Sequence, residues 1–129
     1  MERSTFAERV EKALRDAERT IELVKQDSFK PPQAVASAAK LGLELRREFN
    51  RGGTAVGVAR ARDLANRRSV SVKTLKRMRS FFARHGAQVD RRDEGWENRE
   101  NPSPQWIAWL LWGGDPGRDW AERLLRQMD

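Results

Sequence analysis

Proline and glycine interrupt this chain at Lys30-Pro31-Pro32, Gly52-Gly53, Gly86 and Gly113-Gly114, and between these breaks apolar residues recur every three or four positions. A residue before proline is pushed out of the α region, and glycine tolerates the left-handed conformation that ends a helix. No stretch alternates at the period of two that a half-buried strand requires, so the expected fold class is all-α. The expected architecture is a compact bundle of about five helices over residues 31–129, containing a helix-turn-helix-like hairpin at 54–86 and Trp-rich C-terminal helices at 103–127. An N-terminal amphipathic helical arm, residues 1–30, precedes it.

In the arm a helix is expected from about Thr5 to Gln26, with Thr5 and Glu8 at capping-box spacing. Phe6, Val10, Leu14, Ala17, Ile21 and Val24 form one narrow apolar seam. The expectation is that this seam docks on the domain; the alternative is pairing with another chain, which would make a homo-oligomer. A second helix over Gln33 to Phe49 aligns Val35, Ala38, Ala39, Leu41, Leu45 and Phe49. A third, from Thr54 to Asn66 or Arg67, turns Val56, Ala61, Leu64 and Ala65 inward. The fourth opens at Ser71 as N-cap and closes at Gly86, with Leu75, Met78, Phe81 and Phe82 apolar.

Gln88 to Asn101 read as a loop, eleven of its fourteen residues charged or amide, with Trp96 as its one large apolar group. Ser103-Pro104 then caps a fifth helix to Trp112, and Asp115-Pro116 repeats that signal for a sixth. The fifth helix, Trp106 to Trp112, is apolar on every side, which is the pattern of a central buried helix. Stacking of unpaired bases on its tryptophans is the alternative, and the acidic character of this end argues against it.

Charge is segregated along the chain. Residues 46–92 hold 14 Lys or Arg against 3 acids, residues 1–45 are balanced, and residues 93–129 are net acidic by four. Segregated cations create a local field that draws in a polyanion, whereas interspersed ones mainly give solubility. Without cysteine there are no disulfides, thiolate metal sites or thiol nucleophiles, and the single histidine, His85, cannot make a multi-histidine site. No Asp-rich loop has EF-hand spacing, so no cofactor and no metal is expected. No run of eighteen apolar residues and no signal-peptide core is present, which points to a cytoplasmic protein without a membrane partner.

Within the basic segment, Ala61 to Ser80 fits the twenty-residue helix-turn-helix pattern. Leu64, Ala65, Val70, Leu75 and Met78 fall where two crossing helices need small or apolar residues, while Arg68 and Ser69 depart from it. On this alignment Ser71, Lys73, Lys76, Arg77 and Ser80 leave the core on the side that would meet a groove, with Lys73 and Arg77 one turn apart as base readers. Arg60, Arg62, Arg67 and Arg68 would bind phosphates, and Arg84 extends the basic face at the helix end. Nothing marks an enzyme: Asp115 is explained as an N-cap, Gly52-Gly53-Thr54 lacks the lysine of a P-loop, and His85 suits a helix-terminal dipole.

Gly53-Thr54, Val56-Gly57, Ala59-Arg60-Ala61-Arg62-Asp63-Leu64, Ser71, Thr74, Arg77-Met78, Ser80-Phe81-Phe82 and Arg84-His85 combine with a second block. That block is Ile107-Ala108-Trp109-Leu110-Leu111-Trp112-Gly113-Gly114-Asp115 with Gly117 and Trp120-Ala121. Together, over residues 33 to 121, they resemble a small helical domain of tailed-bacteriophage and prophage proteins, found alone or appended to polypeptides such as head-maturation proteases. The resemblance implies a viral setting, in host cytoplasm or virion, and a role around DNA or the capsid; it supplies no catalytic residues. The expected function is a phage-type basic protein that binds nucleic acid, DNA before RNA, through the hairpin. The alternative is a non-enzymatic virion or host-factor module whose basic face meets an acidic protein.

Overall fold

The computed structural model describes residues 5–25 and 28–128, and within the first helix the side chains up to Arg19. Among the described residues there are six helices and no strand: α1 (Phe6–Lys25), α2 (Gln33–Phe49), α3 (Ala55–Ala65), α4 (Val72–Gly86), α5 (Pro104–Leu111) and α6 (Gly114–Met128). None is long and apolar enough to cross a membrane.

Helix ends follow local chemistry. The hydroxyls of Thr54, Ser71 and Ser103 accept hydrogen bonds from the backbone N–H groups of Gly57, Thr74 and Trp106 at 3.2, 3.2 and 3.1 Å. Each satisfies one of the donors a helix start leaves unpaired. Asn50 ends α2 in the left-handed region, φ 50°, with its N–H on the Arg46 carbonyl. Gly86 does not play that part for α4, because its φ is not positive and Ala87 caps the helix in ordinary right-handed geometry.

The five apolar residues Trp106, Ile107, Trp109, Leu110 and Leu111 bury α5 in the middle of the domain. α2 packs across α3, α5 and α6, and α4 packs on α6. Gly42 lets α2 approach α5, since a Cβ there would stand 2.9 Å from the Leu111 nitrogen and 3.1 Å from the Leu110 carbonyl carbon. Although α3 and α4 are consecutive, α3 leans on α2 and α5 while α4 leans on α6. Their connection is held instead by Arg67, at φ 52°, whose Nε donates to the Pro31 carbonyl at 2.9 Å.

Four expectations need correction. Val56 is 60% exposed and does not face inward; Gly57 occupies the buried position beside it. Phe29 lies in the core and not in the arm, exchanging backbone hydrogen bonds with Val70 at 2.8 and 2.9 Å. α1 approaches α6, yet Phe6, Val10 and Leu14 are 76, 40 and 58% exposed, so this half of the seam is not docked. Ala17 is exposed as well, and Ile21 and Val24 lie outside the described side chains.

The fourth is Asp115, which is not an N-cap but the first-turn acid of a helix starting at Gly114. Its carboxylate accepts two hydrogen bonds from Arg91, at 2.8 and 3.0 Å, and one from Trp109 Nε1 at 2.9 Å. Trp96 packs edge-on against Trp109, ring centres 5.9 Å apart, and Arg91 lies over both rings. The polar 88–101 stretch is thus pinned to the core through Arg91 and Trp96.

Arg91 holds the Asp115 pKa below the usual carboxylate value, against the opposing effect of burial and with help from Trp109. A depressed carboxylate pKa contributes stability above the unfolded pKa, about 3.9, and loses it as pH falls through the lower folded value. We therefore expect wild-type protein and Asp115→Asn to differ in urea midpoint by a constant amount from pH 8 to 5 and to converge only below about pH 4. A gap that closes between pH 5 and 7 would contradict this origin.

Candidate nucleic-acid interface

α4 separates its side chains into two faces. Thr74, Leu75, Met78, Phe81 and Phe82 are buried, and Lys73, Lys76, Arg77, Ser80 and Arg84 are exposed. These five line a groove of about 1070 Å³ together with residues from two other places: Thr54 and Val56 at the start of α3, and Ala108 and Trp112 at α5. No acidic residue is part of the lining. Four cations without a counter-charge in one concavity raise its potential well above that of an open surface.

The groove also has an aromatic component. Phe81 stacks on Trp112 with ring centres 4.8 Å apart and planes 13° from parallel, and His85, one turn on, lies 4.3 Å from Phe81. Behind this column Arg60 sets its guanidinium 5.9 Å from the Trp112 ring centre and 3.8 Å from Asp63. Burial lowers the Arg60 pKa, Asp63 raises it, and the neighbouring charge of Arg77 lowers it further. An arginine remains charged through such a shift. Its Nε is buried without a hydrogen-bond partner among the described residues. Arg60 thus adds positive potential near the groove without lining it.

No family model, curated protein or solved structure matches this chain. The interface rests on its own geometry.

Of the ten residues singled out in the sequence, Lys73, Lys76, Arg77, Ser80 and Arg84 come together in the groove. Arg60 sits beside them, and Arg62 is exposed on α3 outside the groove lining. The turn residues make their contacts outside the groove. Arg67 holds the Pro31 carbonyl, Arg68 pairs with Asp63 at 3.8 Å, and the Ser71 hydroxyl caps α4. Thr54, Val56 and Trp112 were not anticipated as part of the site. Phe81 and His85, four apart on one helix, and Trp112, the last apolar residue before a glycine pair, carried the only local signal.

Proposed function

We propose that this protein binds nucleic acid, without catalysing a reaction on it, through the outward face of α4, the second helix of the segment that fits the helix-turn-helix pattern. The observation that supports this best is the gathering of Lys73, Lys76, Arg77 and Arg84 in one groove whose lining holds no acid. A phosphate backbone matches that arrangement, because each neutralised phosphate releases counterions and adds affinity. The resemblance to a tailed-phage domain supports a phage or prophage setting, with DNA before RNA as partner. A second reading is an acidic protein partner of the virion or host, favoured by the exposed apolar side chain of Val56 beside the cations.

A salt titration tests the proposal. With four groove cations engaged, log affinity for a labelled oligonucleotide should fall on a straight line against log salt with a slope of roughly −3 to −4. A slope near zero, or no binding at low salt, would refute it.

A further inference from the structure

Resting on the nucleic-acid reading above, we infer that the groove takes an unpaired strand of DNA or RNA and not a duplex. A helix that reads duplex DNA enters a major groove about 12 Å wide with its own diameter of about 10–12 Å, so its reading face must stand clear of its neighbours. The basic face of α4 does not stand alone. It shares one concavity with Val56 of α3 and Ala108 and Trp112 of α5, and Val56 is 60% exposed beside it.

The lining chemistry points the same way. Val56, Phe81, Ala108 and Trp112 interleave apolar surface with the four cations. A duplex shows only base edges in its grooves and keeps its base faces stacked inside, so it offers the aromatic rings of the lining no face to stack on. An unpaired strand offers base faces to apolar and aromatic groups and its backbone to cations. Lys73, Arg77, Ser80 and Arg84 follow steps of four, three and four, a line of roughly 16 Å along α4 that tracks one backbone. Exposed His85 ends the ring column that continues through Phe81 to Trp112 and offers an outer ring for a base to stack on. The acidity of the C-terminal region does not interfere, since no acid lines the groove and Asp115 is occupied by Arg91.

The test uses the full chain and fluorescence anisotropy near 0.1 M salt with five probes: a 12-nucleotide DNA strand, the same sequence as RNA, its duplex, an abasic strand of equal length, and polyglutamate. We expect a base-bearing strand to bind at least about tenfold tighter than either the duplex or the abasic strand. His85→Ala, at an exposed position, should weaken strand binding by about tenfold with the salt slope unchanged and helicity intact. A DNA-over-RNA or RNA-over-DNA preference identifies the sugar and supports the inference equally. Duplex binding as tight as the single strand overturns the inference and leaves the nucleic-acid reading standing. Equal affinity for the abasic strand, or full affinity in His85→Ala, overturns base contact in the groove. Binding of polyglutamate with none of the nucleic acids overturns both readings in favour of an acidic protein partner.

Discussion

Replacing Lys73, Lys76 and Arg77 together by alanine is expected to lower nucleic-acid affinity by about 100- to 1000-fold near 0.1 M salt. Each phosphate contact contributes about 0.7 to 0.9 to the log-log salt slope, the lower value for single strands, so one decade of salt is worth nearly one decade of affinity per contact. Three lost contacts should also flatten the slope by roughly 2 to 3. The fold should not suffer, because all three side chains are exposed and alanine has the highest helix propensity. Losing Arg77 also relieves the positive charge that opposes partly buried Arg60. Anisotropy across a salt series, with circular dichroism as the folding control, reads both quantities. A triple variant that keeps its affinity and its slope would move the interface off α4.

Adding a single methyl group at Gly113→Ala is expected to cost about 3–5 kcal/mol of stability. Two independent effects add there. At φ 108° an L side chain is strained, and its Cβ would stand 2.9 Å from the Gly117 Cα and 3.0 Å from Val35 Cγ1. The first neighbour is backbone and cannot swing away, so the α5–α6 corner must open against α2. Gly86→Ala is the matched comparison. Its φ is not positive and its new Cβ would meet only Trp109 Cη2, at an ordinary 3.7 Å. That change should be neutral or stabilise α4 by up to about 1 kcal/mol. Urea midpoints of the two variants should therefore move apart, and a Gly113→Ala midpoint at the wild-type value would show that the corner relaxes freely.

The two glycines illustrate how far sequence reaches. Both look like helix stops, but of the two only Gly113-Gly114 uses the left-handed region, while α4 ends at Gly86 in right-handed geometry. The same holds for Asp115 and Ser71, each an N-cap by spacing. Ser71 caps α4, whereas Asp115 is drawn to Arg91, twenty-four residues away, and to Trp109. A cap competes with any stronger partner that tertiary packing brings close, and a bidentate arginine is stronger.

Local chemistry determined the six helices, most of their ends, the burial of α5 and the concentration of cations on the outer face of α4. These depend on neighbours within a few residues, where periodicity, hydroxyl caps and proline act directly. Only the tertiary structure decided what surrounds that face. It tied Arg67, Arg68 and Ser71 into the turn, left Val56 exposed, and set Trp112 of α5 against Phe81 of α4 beside the remaining cations. Contacts between residues thirty positions apart follow from how helices pack around Gly42 and Gly113, and that packing leaves no mark on the spacing of either helix alone.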